Sequence, residues 1–152
     1  MRRKDKQMTE EIEVTDVLQR SQVCRLAMSD GLHPYIVPLC FGFQDNAIYV
    51  HSASEGRKLD LIRKNNSVCF EFDIDIELVK NNYPCDWSMR YKSVIGYGKA
   101  IFLDDIDEKR RALDIIMRQY STGEFVFPQS SLDRTIVIKI EIECINGKKS
   151  GY

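Results

Sequence analysis

Residues 135–145 alternate apolar and polar side chains almost without a break, and no other run of the sequence constrains the fold as strongly. Ile136, Ile138, Ile140 and Ile142 occupy every second position of this run. Successive side chains of a β-strand point to opposite faces, so these four isoleucines share one face. The run therefore predicts a long strand with one face buried in a sheet.

Five further segments have the composition of strands, and turn sequences separate them. Asp30-Gly31 follows the first of them, and Gln44-Asp45-Asn46 follows the second. Asp-Gly between two apolar runs is a strong hairpin signal, and a short hairpin joins antiparallel strands. The five predicted strands lie at residues 23–28, 35–43, 47–51, 68–73 and 91–103.

Prolines and glycines place limits on two of these strands. Proline has no backbone N–H, so Pro34 and Pro38 must lie where no partner strand needs one, at a sheet edge or a bulge. Gly96 and Gly98 permit a bend or a bulge within the segment 91–103.

Three short helices complete the predicted secondary structure. The clearest begins at Asp105, because Asp105 and Glu108 have the spacing of a capping box. The helices are predicted at residues 9–20, from Ser54 or Glu55 to Lys64, and from Asp105 onward.

Six strands joined as hairpins, with three helices beside them, predict a mainly β fold with peripheral α-helices. The expected architecture is an antiparallel six-stranded β-barrel, closed or nearly closed. No G-x-G-x-x-G sequence is present, so a doubly wound dinucleotide-binding fold is a poor match. The chain has no repeats, low-complexity tracts or Pro/Ser-rich linkers, which predicts one domain over residues 1–152.

Charge and cysteine content exclude several classes of function. The net charge is −1, which gives no bulk attraction to nucleic acid or to a membrane surface. No stretch approaches the ~20 apolar residues of a membrane span, and no apolar h-region follows residues 1–6. The five cysteines form no C-x-x-C pair, which argues against zinc and predicts reduced thiols that mostly fill strand interiors. We expect a cytoplasmic protein.

The most informative sequence follows the third predicted strand, where Arg57 and Lys58 fall in the first turn of a helix. Cations there oppose the helix macrodipole, at a cost on the order of 0.3–1 kcal/mol each. The cost disappears if an anion such as a phosphate binds at the helix N-terminus, where free N–H groups and both cations would contact it. The alternative from the residues alone is a solvated, charged helix face.

Several motifs, spread over nearly the whole chain, point to a known family. The string H-S-A-x-x-G-R-K-L-D spans residues 51–60, and K-S-V-I-G-x-G spans residues 92–98. The sequence resembles the pyridoxamine-phosphate-oxidase-like flavoprotein superfamily, and within it the nitroimidazole-resistance (Nim-type) branch. It departs from the usual T-G-K of that family at Asn146-Gly147-Lys148.

The resemblance implies a homodimeric FMN-binding split barrel, with flavin in clefts between the two subunits and FAD as the alternative flavin. It assigns Arg57 and Lys58 to the FMN phosphate, and it places His51 and Ser52 along the ribityl chain and ring. The strand that contains Pro38 and Leu39 would present backbone groups to the isoalloxazine. The resemblance also implies that the partner subunit's Lys92, Ser93 and Val94 contact the same flavin. It places Lys148 near the flavin too.

His51 is also the predicted catalytic residue. Ile48 and Val50 pack inward by strand alternation, which leaves Tyr49 and His51 on the opposite face. There the imidazole would lie beside the flavin, and it could orient the flavin as a neutral donor or deliver a proton as imidazolium. The alternative is a strand-end histidine with no functional role.

The leading functional hypothesis is an FMN-dependent oxidoreductase that reduces small aromatic or nitro compounds. The first alternative is a non-catalytic flavin-binding stress or sensor protein. The second is a haem protein on the same barrel, in which His51 or His33 would ligate the iron.

Overall fold

The structure, a computed structural model, describes residues 4–152. Within these residues one antiparallel sheet is packed against four α-helices, and 3₁₀ turns lie at Lys4–Lys6 and Pro84–Asp86. The strands are β1 (Gln7–Met8), β2 (Cys24–Ser29), β3 (Pro34–Leu39), β4 (Phe41–Gln44), β5 (Ala47–Ser52), β6 (Ser67–Val79), β7 (Ser88–Leu103) and β8 (Ile136–Ser150). The helices are α1 (Glu11–Arg20), α2 (Arg57–Lys64), α3 (Ile106–Arg118) and α4 (Gln129–Arg134).

The sheet topology confirms the predicted mainly β, antiparallel architecture. The strands follow the order β3-β2-β6-β7-β8-β5-β4, and the short β1 pairs with β8. The path begins at β3 and ends at β4, and among residues 4–152 no pairing joins these two strands. The barrel is therefore split open between β3 and β4.

The sheet contains eight strands where six were predicted. The predicted strand 35–43 breaks at Cys40 into β3 and β4, which belong to opposite ends of the sheet. The two-residue β1 supplies the other additional strand. Pro34 and Pro38 both lie in β3, which pairs only with β2, so the missing N–H groups fall at a sheet edge as expected.

The long hairpin of β6 and β7 also differs from the prediction. The strand was predicted to end at residue 73, yet β6 continues to Val79. A register shift between Ile74 and Glu77 interrupts the ladder, and Asp75 lies there with a φ of 54°. A bulge inserts extra residues and resets the alternation, so the second half of the strand has no continuous period-two pattern.

The core lies on the inner face of the sheet. Ile138 and Ile140 are fully buried, which confirms the face predicted for residues 135–145. The rings of Phe41 and Phe72 pack with their centroids 4.7 Å apart. Gly96 is required where β7 passes Phe70, because a Cβ atom there would lie 2.5 Å from Cε2 of that ring.

The helices begin and end for local reasons. The Asp105 side chain accepts hydrogen bonds from the N–H groups of Asp107 and Glu108, which confirms the predicted cap of α3. Gln119, just after α3, has its Nε2 within 3.0 Å of carbonyl oxygens at the end of α1. The short helix α4 was not predicted. No helix among residues 4–152 has the length and apolar character of a membrane span.

Candidate functional site

The end of β5 presents the predicted catalytic histidine as expected. Ile48 and Val50 are fully buried, whereas His51 is exposed on the opposite face and Ser52 is half-buried. His51 pairs with Val137 of β8. The alternation argument for His51 is therefore confirmed, although its catalytic role stays a prediction.

Helix α2 begins at Arg57, two or three residues later than predicted. Gly56 precedes it with a φ of 139°, which takes residues 54–56 out of the helix. No side chain caps α2, and the N–H groups of Arg57 and Lys58 have no hydrogen-bond partner within the described part of the chain. The helix thus starts with two cations and two free donors, an arrangement suited to an anion.

Arg57 and Lys58, the two cations at the start of α2, lie against neighbouring parts of the protein. The Arg57 guanidinium lies over the ring of Tyr35 on β3, 4.9 Å from its centroid. Burial lowers the pKa of Lys58. Partial burial, and then the charge of Lys58, hold the pKa of the His51 imidazole below its ordinary value. An anion bound here would relieve the repulsion between Lys58 and the protonated imidazole.

The Arg57 contact also brings β3 to this site. Tyr35 and Leu39 are half-buried against the core, while Pro38 is exposed. Because β3 is an edge strand, the backbone groups on its free side are not used by the sheet. His51, Ser52, Arg57, Lys58 and the strand of Pro38 and Leu39 make one cluster, which we call the α2 cluster.

A second group of predicted site residues lies on β7 and β8. Ser93 is the cross-strand partner of Lys148, whose Nζ lies 5.0 Å from the ring centroid of Tyr91. Lys92 Nζ is 3.6 Å from an Asp75 carboxylate oxygen. The Val94 side chain is fully buried in the core, so it cannot contact a ligand on the outer face of the sheet. Lys92, Ser93, Val94 and Lys148 are called the β7–β8 cluster.

One chain keeps His51 far from the Ser93–Lys148 pair. His51 is paired with Val137 near the start of β8, and Ser93 is paired with Lys148 near its end. These β8 positions are eleven residues apart, or about 36 Å along the strand at ~3.3 Å per residue. Pro38 lies closer to the β7–β8 cluster, because it pairs with Arg25, Arg25 pairs with Glu71, and Glu71 pairs with Ile95.

A cleft of about 390 Å³ borders the β7–β8 cluster, and sequence reasoning did not find it. Tyr91 and Ser93 line it, together with an ion-pair network on the outer sheet face. Arg25 contacts Glu71 at 3.0 Å and also pairs with Asp73. Burial, and then the charge of Asp73, raise the pKa of Glu71. The alternation of apolar and polar residues in β6 indicates that Glu71 points outward. Its ion-pair partner, Arg25 on β2, lies 46 residues away in the sequence, so no local pattern reveals the pair.

The cysteines lie differently from the prediction. All five are free thiols, but only Cys24 is buried. Cys69 is half-buried, and Cys40, Cys85 and Cys144 are exposed, so the expectation that they mostly fill strand interiors is wrong. Cys69 and Cys144 flank Tyr97 on the outward side of the sheet, where alternation places them away from the core.

The other histidine lies apart from the site elements. His33 is exposed in the turn between β2 and β3. Its N–H donates to the Asp30 carboxylate, which also accepts from the Leu32 N–H. This Asp30 interaction fixes the turn, as the Asp-Gly signal indicated.

Comparison with known proteins gives the site its context. A 5-nitroimidazole antibiotic resistance protein from Bacteroides thetaiotaomicron is 32% identical, with a TM-score of 0.86 over 94% of this chain and 86% of that chain. An FAD-binding protein from Mesorhizobium loti is 25% identical, with a TM-score of 0.67 over 93% of this chain and 96% of that chain.

A more distant structure, an FAD and haem binding protein from Mycobacterium smegmatis, shares the fold. It is 20% identical, with a TM-score of 0.87 over 97% of this chain and 74% of that chain. No match was found among curated proteins. The model of the pyridoxamine 5'-phosphate oxidase family matches residues 10–149, which confirms the resemblance seen in the motifs. The chain belongs to the pyridoxamine 5'-phosphate oxidase family.

Proposed function

We propose that this protein binds FMN at the α2 cluster and uses it to reduce small aromatic or nitro compounds. The observation that carries the proposal is the start of α2, where Arg57, Lys58 and two unpaired backbone donors converge beside the exposed His51. This arrangement destabilises the helix unless an anion is bound. The relatives named as an FAD-binding protein and as a 5-nitroimidazole antibiotic resistance protein support a flavin cofactor and nitro compounds as substrates.

The chain's own residues bind and orient the cofactor. Arg57 and Lys58 would hold the phosphate, and the cation–π contact with Tyr35 keeps the guanidinium in place. Ser52 and His51 would contact the ribityl chain, and the free backbone edge of β3 at Pro38 and Leu39 would contact the ring. When bound, the flavin supplies the electron transfer.

His51 is the proposed proton donor to the reduced substrate. The imidazole is exposed, so a substrate can reach it, and it stands at the end of β5 next to the phosphate-binding turn. Since the pKa of His51 lies below its ordinary value, the neutral form of the imidazole predominates at pH 7. Its protonated form, and therefore its activity as an acid, increases as the pH falls.

The proposed functional unit is a homodimer in which the β7–β8 cluster of one chain completes the α2 cluster of the other. The large separation of His51 from the Ser93–Lys148 pair along β8 supports this arrangement. So does a row of exposed apolar side chains on the outer face of the β6–β7 hairpin, which we call the outer β6–β7 face. Its members are Leu78, Met89, Ile95 and Tyr97, each more than 40% exposed.

The test is flavin binding by a double variant at the start of α2. Arg57→Ala with Lys58→Ala removes two charged contacts to the phosphate, each worth roughly 1.5–3 kcal/mol. FMN affinity should fall by at least two orders of magnitude in fluorescence titration. The matched control is Arg63→Ala with Lys64→Ala, which removes the same charge from the last turn of the same helix.

The two double variants separate site binding from general electrostatics. The control should bind FMN as the unmodified protein does. Equal losses in both variants, or no loss in the first, would refute the phosphate assignment. An absorption spectrum of the protein with bound FMN, followed by NAD(P)H oxidation with a nitroaromatic acceptor, then separates an enzyme from a flavin-binding sensor. A Soret band would instead indicate haem.

A further inference from the structure

A second cleft lies between helix α3 and residues 121–128, and the proposed flavin site does not use it. Its volume is about 390 Å³, within the usual range for small-ligand pockets. Arg110, Arg111 and Ile115 line one wall, and Phe125 and Phe127 line the other.

The two phenylalanines of this wall lie outside the core cluster. Phe125 and Phe127 are half-buried, while Val126 between them is 89% exposed. Both phenylalanines line the same cleft. Arg110 donates a hydrogen bond to the Phe127 carbonyl oxygen at 3.4 Å, which ties the aromatic segment to α3. Two rings on one side of a cleft favour a planar ring ligand.

The charges at this cleft favour an anion. Its one carboxylate, Asp114, is neutralised by Arg118, whose Nε lies 2.5 Å away. Arg111 has no ion-pair or hydrogen-bond partner for its side chain within residues 4–152. An unpaired guanidinium is a good donor to carboxylate and phosphate groups. The cleft therefore combines an aromatic wall with one free positive group.

Arg111 also borders a smaller adjoining cavity of about 230 Å³, which extends the cleft toward β5. Tyr49 and Lys139 line that cavity, and Lys139 is paired with Glu141 at 2.8 Å. Asp45 and Glu108 lie on the same smaller cavity and would repel an anion there. The anionic group is therefore better placed at Arg111 and the ring against the two phenylalanines.

We propose that this cleft is a second ligand site, which binds a small aromatic anion with its ring against Phe125 and Phe127 and its carboxylate or phosphate on Arg111. The ligand chemistry is shared by aryl carboxylates and by nucleoside monophosphates. The site is independent of the flavin phosphate site, because none of its residues belongs to the α2 cluster.

Isothermal titration of the FMN-saturated protein with salicylate, AMP and uncharged adenosine tests the proposal. Saturable 1:1 binding of at least one anion is expected, and which of the two binds identifies the ligand source. Arg111→Ala should weaken that anion about tenfold or more. Lys109→Ala is the matched control, because it removes the same charge from the same helix at a residue that does not line the cleft. Phe125→Ala should also weaken binding.

Five results would overturn the proposal. Four of them are the absence of saturable binding by both anions, adenosine binding as tightly as AMP, equal losses in the Lys109 and Arg111 variants, and Phe125→Ala binding as the unmodified protein does. Loss of anion binding in the Arg57→Ala, Lys58→Ala double variant would place the anion at α2 and would also refute it. FMN affinity should be unchanged in Arg111→Ala. Failure of the second-site proposal therefore leaves the flavin proposal unaffected, and failure of the flavin proposal leaves the second site unaffected.

Discussion

Tyr35 should contribute to flavin binding without touching the flavin, by holding Arg57 in its binding orientation. The Arg57 guanidinium lies 4.9 Å from the Tyr35 ring centroid, within the range of a cation–π interaction. A long side chain that is already oriented loses less entropy when it binds a phosphate. Tyr35→Leu keeps an apolar residue at the half-buried position but removes the aromatic face.

The expected effect is small and can be calculated. A cation–π interaction at an exposed site contributes about 0.5–1 kcal/mol. If that energy is realised in FMN binding, Tyr35→Leu raises the Kd by about two- to fivefold, since ~1.4 kcal/mol corresponds to a factor of ten. Tyr35→Phe keeps the ring and should bind FMN nearly as well as the unmodified protein.

A double-mutant cycle isolates the contact. FMN Kd values are measured for the unmodified protein, Tyr35→Leu, Arg57→Ala and the double variant. Tyr35→Leu should have no effect once Arg57 is absent. An equal loss in both backgrounds would show that Tyr35 acts independently of Arg57. Tighter binding by Tyr35→Leu would show that the ring competes with the phosphate for the guanidinium, which is the opposite of the proposed role.

Three other changes test the fold, the chemistry and the assembly. Gly96→Ala forces a Cβ to within 2.5 Å of Phe70, so overpacking should lower the free energy of unfolding by about 1–3 kcal/mol in urea denaturation; an unchanged midpoint would contradict this packing. His51→Gln should bind FMN normally and lose turnover about 10²-fold. In the unmodified enzyme the rate should fall as the pH rises through the lowered His51 pKa, and in His51→Gln this fall should be absent. If turnover is unchanged, the proton comes from elsewhere. Ile95→Lys with Tyr97→Glu on the outer β6–β7 face should shift light scattering from dimer to monomer and weaken flavin binding; a monomeric unmodified protein with full flavin occupancy would refute the dimer.

Elements with local signals were predictable from the sequence. The isoleucine alternation located β8 because burial of one sheet face repeats with the period of the strand itself. Proline at two positions indicated a sheet edge or a bulge, where a missing N–H costs little, and β3 is an edge strand. The Asp105 cap located the start of α3, because the cap bonds run only two and three residues along the chain.

Elements that depend on the rest of the sheet were missed or misjudged. The bulge at Asp75 breaks the alternation of β6, so the strand's second half has no periodic signal. The break at Cys40 is decided by β4 pairing with β5 at the far end of the sheet from β3. Neither feature can be read from a short stretch of sequence, because the partner strand determines it.

The same division applies to the candidate site. By itself the sequence determined that two cations lie in the first turn of a helix that follows a strand with an outward histidine at its end, since all of these residues lie within eight positions. Only the tertiary structure decided that Tyr35 lies under Arg57 and that Arg25 pairs with Glu71 and Asp73. It also placed His51 and the Ser93–Lys148 pair at opposite ends of β8. Local conformation follows from neighbouring residues, but contacts between distant residues exist only after the strands have paired and the core has closed.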